Sequence, residues 1–253
     1  SLSISEDGDT IAIGSPGNSG VRFQKGTGSV SIFKFLNDAW TDAGTIAGDN
    51  NIPQTVVTAK NYFGSSVSLS ADSKVLVVGA PQGIARGAPG FVKIFSHSVN
   101  SSNTDIWTEV ALLNGSQTGE QFGKSVATNA TGDVIAIGSP DYDNSTGRVL
   151  VYKKVNSSYT LSKTIIGTTE AQFGRSVDLN EDGSILAVGA PGAASRDGVN
   201  TGSSLVYENT SANTWNLIAV TEGDGADDRS GQVARLIDSY AVSEAPVRKN
   251  RGF

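Results

Sequence analysis

The stretch FGRSVDLNEDGSILAVGAP, Phe173–Pro191, decides the fold of this 253-residue chain. It predicts a short strand, a tight Asn/Asp/Gly turn and a second apolar strand that stops at a proline, which cannot donate to a strand ladder. The same pattern recurs over Phe122–Pro140 and Phe63–Pro81, with the same separation between Phe and Pro in every copy. Such internal repetition is typical of units that bury their faces against each other.

Each repeat continues with a loop and two further predicted strands. The third strands are Val30–Phe33, Val92–Phe95, Val149–Tyr152 and Leu205–Tyr207. The fourth strands open at one shared aromatic position, held by Trp40, Trp107, Tyr159 and Trp215. All three tryptophans of the chain fall there, which predicts a packing anchor between neighbouring units. Second strands such as Val75–Val78 are apolar throughout, as expected of strands covered on both faces.

Four strands per unit, with one of them fully buried, predict an all-β fold: a β-propeller of four-stranded blades. We place the blades at 1–62, 63–121, 122–172 and 173–229, with a partial fifth at 230–253. In the fifth, Ser230-Gly231 replaces Phe-Gly and Glu244-Ala245-Pro246 replaces Gly-Ala-Pro. Because the repeats begin and end inside a blade, we expect one propeller or a slice of a larger one.

Composition excludes several classes of function. The net charge of −6 argues against nucleic acid as a partner, since phosphate binding requires clustered basic residues. No apolar run approaches the roughly 18 residues of a membrane-spanning helix. The chain has no cysteine, so it has no disulfide, thiol nucleophile or cysteine–zinc site.

Catalytic and metal-binding patterns are sparse, so we predict no catalytic residue and no enzymatic activity. The single histidine, His97, leaves little room for a Ser-His-Asp triad, and we expect it at the surface. Links between first and second strands, such as Ser5–Asp9, are too short to wrap a calcium ion that takes six to eight oxygens. Two acidic loops could offer carboxylates, 224–228 and the loop with Asp141 and Asp143. The latter pair is the candidate metal site, for Ca²⁺, and no other cofactor is predicted.

Six N-x-S/T sequons are candidate glycosylation sites: Asn100, Asn114, Asn129, Asn144, Asn156 and Asn209. Asn100, Asn156 and Asn209 fall in the link between the third and fourth strands of consecutive blades. Equivalent sequons on equivalent turns predict periodic glycan decoration, and therefore a secreted or cell-surface location.

The repeats resemble the FG-GAP repeat, the blade of the integrin alpha-subunit head. Phe63-Gly64 with Gly79-Ala80-Pro81, and Phe173-Gly174 with Gly189-Ala190-Pro191, match both halves of the motif. The resemblance covers essentially the whole chain. It implies a propeller, commonly seven-bladed, that serves adhesion or recognition outside the cell. The chain departs from calcium-binding members of the family, which carry an Asp-rich loop between strands one and two.

These observations predict a non-enzymatic extracellular or cell-surface glycoprotein module. It would mediate adhesion or assembly through protein or glycan ligands, with self-association as a further contact. Two alternatives stay open. One is an accessory propeller of a larger secreted enzyme, and the other is a structural subunit of an extracellular filament.

Overall fold

The computed structural model describes residues 1–17, 27–48, 61–82, 88–194, 200–211, 213–237 and 240–244. Within them, four four-stranded antiparallel sheets follow each other, each with its strands in chain order. A two-stranded hairpin forms the fifth sheet. The predicted third strand of the fifth unit, at Gly252-Phe253, lies outside the described residues.

The strands are grouped into blades. The first blade holds β1 (Leu2–Ile4), β2 (Thr10–Ser15), β3 (Ser29–Leu36) and β4 (Ala39–Ala47). The second holds β5 (Ser66–Leu69), β6 (Val75–Ala80), β7 (Phe91–Val99) and β8 (Asp105–Asn114). The third holds β9 (Ser125–Thr128), β10 (Val134–Ser139), the left-handed turn α1 (Tyr142–Ser145), β11 (Arg148–Val155) and β12 (Ser158–Ile166). The fourth holds β13 (Ser176–Leu179), β14 (Ile185–Ala190), β15 (Ser203–Ser211) and β16 (Thr214–Glu222), and the hairpin is β17 (Val233–Ile237) with β18 (Tyr240–Glu244).

The predicted tight turns between first and second strands are confirmed. In the second blade, Ser70 Oγ and the Lys74 N–H both donate to Asp72 Oδ1, at 2.7 and 3.0 Å. In the fourth blade, the Ser184 N–H donates to Asp182 Oδ1 at 2.8 Å. Side-chain acceptors of this kind close an Asx turn. The carboxylates of these turns are therefore used inside the turns themselves.

The core consists of three apolar clusters, and each fills the space between two consecutive blades. Phe63, Phe122 and Phe173 lie at the centres of these clusters and are at most 2% exposed. The N–H of each donates to a carbonyl that precedes the third strand of the preceding blade, for example Phe122 to Pro89 at 2.8 Å. The phenylalanine of each repeat therefore belongs structurally to two blades.

The glycines of the two half-motifs meet across every blade boundary. A β-carbon on Gly79 would lie 2.1 Å from the Gly123 carbonyl oxygen, and one on Gly138 would lie 2.0 Å from that of Gly174. Gly123 and Gly174 themselves have φ of +83° and +88°, which L side chains rarely adopt. The repeat therefore needs glycine in both half-motifs because two backbones touch there.

The predicted aromatic anchor is confirmed at three of its four positions. Trp107 packs on the cluster between the first and second blades, and Trp215, 8% exposed, on the cluster between the third and fourth. Tyr159 packs between the second and third, with its hydroxyl donating to the Gly132 carbonyl at 2.7 Å. Trp40 differs, being 46% exposed and in tilted contact with Phe35 at 5.3 Å between ring centroids.

Among the described residues, no helix has the length and apolar character needed to cross a bilayer.

Candidate functional site

The first strands of the five units lie side by side and line one central cavity of about 390 Å³. Each of these strands pairs on one edge only, with the second strand of its own blade, and turns its other edge to the cavity. Serines from consecutive blades, Ser66, Ser125 and Ser176, contribute hydroxyl groups to the wall. Four-stranded sheets around a common cavity are the arrangement of a β-propeller.

The serine hydroxyls join neighbouring blades. Ser66 Oγ donates to the Gly123 carbonyl at 2.8 Å, and Ser125 Oγ donates to the Gly174 carbonyl at the same distance. Ser176 Oγ repeats the contact with the Gly231 carbonyl at 3.1 Å. Each hydroxyl thus uses its proton on the glycine that begins the next unit, Gly123, Gly174 or Gly231, and keeps lone pairs as acceptors.

Two cations from consecutive blades line the same cavity. Lys124 and Arg175 directly follow the Phe-Gly pairs of the third and fourth blades, and both line the cavity. Burial lowers the pKa of the Lys124 ammonium, the positive charge of Arg175 lowers it further, and Asp141 partly opposes this. Within the described ranges, no carboxylate lies within ion-pair distance of either cation. Arg175 Nε donates to Gln232 Oε1 at 3.4 Å, in the same position of the next repeat.

A buried ion pair holds the loop that leads to Lys124. Glu120 is fully buried, and Arg148 Nε and Nη2 donate to its Oε2 at 2.9 and 2.6 Å. Its Oε1 accepts the N–H groups of Ser116 and Gln117 at 2.5 and 3.0 Å. The guanidinium of Arg148 also stacks 3.9 Å from the Tyr142 ring centroid. This network fixes the loop immediately before Phe122 and, with it, the start of β9.

Asp178 supplies a carboxylate to the cavity wall. Its Oδ2 accepts the Leu236 N–H at 2.9 Å, and its Oδ1 accepts the Leu179 N–H at 3.1 Å and lies 3.8 Å from Arg235 Nη1. Burial raises the pKa of this carboxyl, although the Leu236 N–H and the Arg235 charge act against the rise. Asp178 therefore stabilises the contact between the fourth and fifth units and stands as an acceptor in the cavity.

The structure does not bring the predicted metal ligands together with further carboxylates. Asp141 Oδ2 accepts a hydrogen bond from Gln121 Nε2, while Asp143 is exposed with φ of 48°. In the acidic loop at 224–228, Asp228 Oδ2 accepts the Gly225 N–H at 2.7 Å. Across the described part of the chain, no three His, Cys, Asp or Glu side chains form a metal-binding group. Calcium binding at Asp141 and Asp143 stays a prediction.

The sequons differ in accessibility. Asn100, Asn114, Asn144 and Asn156 are exposed, and Asn209 is half-buried in β15. Asn129 is 4% exposed, and its side-chain nitrogen donates to Thr131 Oγ1 and Asp133 Oδ1 at 3.1 and 2.7 Å. A glycan on Asn129 is incompatible with this turn, because the amide nitrogen that would carry it is already part of the fold.

The expectation of a surface histidine is wrong. The His97 side chain is 11% exposed, and its Nε2 lies 2.6 Å from Asp105 Oδ1, which also pairs with Lys34 of the first blade. Its ring lies in tilted contact with Trp107, with 4.9 Å between the ring centroids. The group stabilises the contact between the first and second blades, away from the cavity.

Lys124 and Arg175 were missed by the search for chemical motifs, although the sequence holds a signal for them. Both occupy the residue after Phe-Gly, so aligning the repeats places a basic residue at the same position of two consecutive blades. These basic residues indicate a binding site only when the first strands are known to surround a cavity.

Comparison with known proteins supports the fold. No family model matches the chain, and no curated protein matches its sequence. A provisionally assigned 6-phosphogluconolactonase from Bacteroides fragilis NCTC 9343 superposes with a TM-score of 0.56 at 14% identity, over 90% of this chain and 72% of that one. A second, from Bacteroides uniformis ATCC 8492, gives 0.50 at 13% identity over the same shares. A protein from Lactobacillus plantarum gives 0.52 at 14% identity, over 87% of this chain and 56% of that one. The predicted all-β propeller is confirmed at this level.

The comparison overturns the predicted non-enzymatic adhesion or assembly function. The similar propellers include two that are provisionally assigned as enzymes, so this fold gives no ground for a non-enzymatic module. The prediction failed because it took the lack of a histidine-based motif as a lack of chemistry. A propeller cavity instead gathers single polar residues from several strands, which no linear motif records.

Proposed function

We propose that the central cavity binds a small anion that carries hydroxyl groups, with Lys124 and Arg175 as its cationic contacts. The carrying observation is that these two half-buried cations line the same cavity and repel each other electrostatically, with no carboxylate at ion-pair distance among the described residues. Placing like charges side by side in a partly desolvated site is unfavourable. An anion between them removes that cost and adds charge-assisted hydrogen bonds.

The rest of the cavity fits a hydroxylated ligand. Its volume of about 390 Å³ is that of a small-molecule pocket. Ser66 and Ser125 offer acceptor lone pairs, because their protons are donated to backbone carbonyls, whereas Ser176 Oγ already accepts the Ala234 N–H at 2.9 Å. Arg175 and Asp178 are three residues apart along the extended chain of the fourth blade, which separates them by about 10 Å along the cavity wall. A ligand with its anion at Arg175 can therefore place hydroxyl groups near the Asp178 carboxylate.

A second candidate function is the hydrolysis of a sugar lactone, for which the provisional assignments of the two Bacteroides propellers provide support. In this reaction, a water oxygen bonds to the acyl carbon and the bond from that carbon to the ring oxygen breaks. The ring oxygen ends as a hydroxyl and the product as a carboxylate. Lys124 and Arg175 would stabilise the developing negative charge. Asp178, whose pKa is raised by burial, is the cavity carboxylate suited to accept a proton from water.

Calorimetric titration tests the binding proposal. We expect 6-phosphogluconate to bind, and Lys124→Gln and Arg175→Gln each to weaken the binding at least about tenfold, equivalent to about 1.4 kcal/mol. Lys74→Gln, which removes a cation from an exposed turn, is the matched control and should leave the affinity unchanged. If the unsubstituted protein and its three variants all bound 6-phosphogluconate with equal affinity, the anion would bind elsewhere.

Lactone hydrolysis is tested separately by following acid release from 6-phosphogluconolactone above its spontaneous rate. Asp178→Asn should abolish the enzymatic part while retaining 6-phosphogluconate binding. Binding without any rate enhancement in the unsubstituted protein would reject the hydrolase function and keep the binding function.

We further propose that the blades are of the FG-GAP type, four complete and a fifth in part. The meeting of the Phe-Gly and Gly-Ala-Pro glycines at each boundary supports this, because it gives both half-motifs one shared structural role.

We also propose an extracellular location, which the exposure of Asn100, Asn114, Asn144 and Asn156 supports. Glycopeptide mass spectrometry of the protein from its source should find glycans on at least one of these residues and none on Asn129. An unmodified protein would contradict this location.

A further inference from the structure

Lys124 differs from several other lysines of the fold in what surrounds its amine. Three of those lysines are held in ion pairs: Lys34 with Asp105, Lys74 with Asp72 at 3.3 Å, and Lys93 with Glu109 at 2.9 Å. Lys124 lines the cavity instead, and within the described ranges no carboxylate lies at ion-pair distance from its Nζ. Its amine is therefore available to a molecule in the cavity.

The chain segments that carry Lys124 and Arg175 are in direct contact. Ser125, which follows Lys124, donates its hydroxyl proton to the carbonyl of Gly174, which precedes Arg175, at 2.8 Å. The Lys124 N–H donates to Gln121 O at 3.0 Å, which closes the turn before the first strand, and the fourth blade repeats this turn. Both side chains therefore reach the cavity from main-chain positions that the fold fixes.

These surroundings disfavour the charged form of the Lys124 amine. Burial lowers the pKa of its ammonium, the Arg175 charge lowers it further, and the Asp141 charge acts in the opposite direction. A larger share of this amine is therefore unprotonated at neutral pH than of an exposed lysine. An unprotonated lysine amine attacks carbonyl carbons, and desolvation and a neighbouring cation are the two means by which proteins activate it.

Arg175 is suited to hold an anionic group of the same molecule. Its Nε donates to Gln232 Oε1 at 3.4 Å, and among the described residues its two terminal nitrogens have no hydrogen-bond partner. A guanidinium binds a carboxylate through two parallel hydrogen bonds and does not lose its charge. The two basic residues therefore differ in role, because only the lysine can become a nucleophile.

We propose that Lys124 is a nucleophile that forms an imine with the carbonyl group of an oxo acid, while Arg175 holds the carboxylate of that acid. In this step, the Lys124 nitrogen bonds to the carbonyl carbon and the carbon–oxygen bond breaks. The oxygen leaves as water with the two hydrogens of the neutral amine, so neither an oxidant nor a reductant is required. The inference rests on the proposed function, because it uses the same anion site, and it adds a carbonyl group to the ligand class.

Reductive trapping with glyoxylate tests the nucleophile. Sodium cyanoborohydride at pH 7 converts an imine into a stable secondary amine, and peptide mapping by mass spectrometry locates it. We expect Lys124 to be modified at least about tenfold faster than Lys74, which lies on an exposed turn of the same molecule. The preference should narrow towards pH 10, because ordinary lysines, with a pKa of about 10.4, then lose their protons as well. Modification of Lys124 no faster than that of Lys74 would overturn the proposal.

A neutral aldehyde separates the roles of the two residues. Glycolaldehyde has no carboxylate, so its preference for Lys124 over Lys74 should be smaller than that of glyoxylate. Arg175→Gln should remove this difference between the two reagents. Arg229→Gln, which removes an exposed cation outside the cavity wall, is the matched control and should keep it. A difference that persists in Arg175→Gln would overturn the proposal.

Competition with 6-phosphogluconate distinguishes this inference from the proposed function. If both hold, 6-phosphogluconate should slow trapping at Lys124 and leave trapping at Lys74 unchanged. Binding of 6-phosphogluconate without preferential trapping at Lys124 would overturn the imine and keep the anion site. Preferential trapping that 6-phosphogluconate does not slow would overturn the proposed ligand and keep the nucleophile.

Discussion

At the scale of the residue, Asp178 shows how one substitution in a repeat changes a contact. Its position is held by Ser3 and Ser68 in the first two blades, and both accept a backbone N–H of the next blade, from Leu69 and Thr128 at 2.9 and 3.0 Å. Asp178 accepts the N–H of Leu236 in the same way. The carboxylate keeps the acceptor that the contact requires but adds a charge that is partly desolvated.

Asp178→Asn should therefore remove a pH dependence while keeping the hydrogen bond. Because burial raises the folded pKa above the unfolded value of about 3.9, the folded state holds this proton more tightly. The free energy of unfolding then falls as pH rises from about 4 through the folded pKa, and stays lower above it. At pH 7, urea denaturation should find Asp178→Asn at least as stable as the unsubstituted protein, and the two should converge near pH 3.

Asp182→Asn is the control with the opposite sign. Hydrogen bonds from Ser184 lower the pKa of the Asp182 carboxyl, so its stabilising effect is present at neutral pH and is lost as pH falls through the folded pKa. At pH 7, Asp182→Asn should therefore be less stable than the unsubstituted protein. A greater loss at pH 7 for Asp178→Asn than for Asp182→Asn would contradict our account of the two carboxylates.

At the scale of the element, the boundary between two blades depends on close backbone contact. Gly79→Ala should destabilise the protein by at least about 3 kcal/mol, because its β-carbon would fall 2.1 Å from the Gly123 carbonyl oxygen and a whole blade would have to move. Gly17→Ala is the matched control, since a β-carbon there meets nothing within 4 Å. Chemical denaturation of both variants measures the difference, and similar stabilities would refute the contact.

The Glu120–Arg148 pair allows a test of coupling. Arg148→Met leaves a fully buried carboxylate without its cation and should cost about 3–5 kcal/mol. Adding Glu120→Gln to this variant should restore part of the loss, because the amide oxygen still accepts from Ser116 and Gln117 and carries no charge. Losses that simply add in the double variant would show that the pair is not coupled.

Elements were the part of the structure that the sequence predicted best. Turns and apolar second strands are determined by neighbouring residues in the sequence. The residues Ser70-Ala71-Asp72 alone therefore predict a turn, and Val75–Val78 alone predict a buried strand. The Asn129 sequon is ambiguous for a local reason, because a sequon and an Asx turn require the same residue types, and the folded chain uses this side chain in the turn. The predicted surface position of His97 was wrong because Lys34, its neighbour in space, lies on another blade and is distant in sequence.

At the scale of the whole molecule, the exposure of Leu2, Ile4 and Ile13 on one face of the first blade should appear in amide exchange. β1 has one uncovered face, whereas β5, β9 and β13 each lie between two blades. In residues 1–253, hydrogen–deuterium exchange at Leu2–Ile4 should be faster than at Ser66–Leu69 or Ser176–Leu179. Equal protection of all the first strands would contradict the uncovered face.

The cavity could not be predicted from the sequence because it exists only at this scale. Lys124 and Arg175 are separated by a complete repeat, and their proximity depends on the rotation of one blade relative to the next. The net charge of −6 argues against nucleic acid as a partner, yet Lys124 and Arg175 directly precede two consecutive first strands and line the cavity together. Overall composition therefore misjudged the local field.

The backbone contact at each blade boundary has a consequence for how such a chain evolves. Where Gly79 meets Gly123 or Gly138 meets Gly174, main-chain atoms form part of the joint, and this part is the same whichever apolar side chains fill the cluster beside it. A duplicated module would fit its new neighbour at once, and recombination between modules would leave working joints. The loops and the cavity-lining positions are then free to diverge independently, one module at a time.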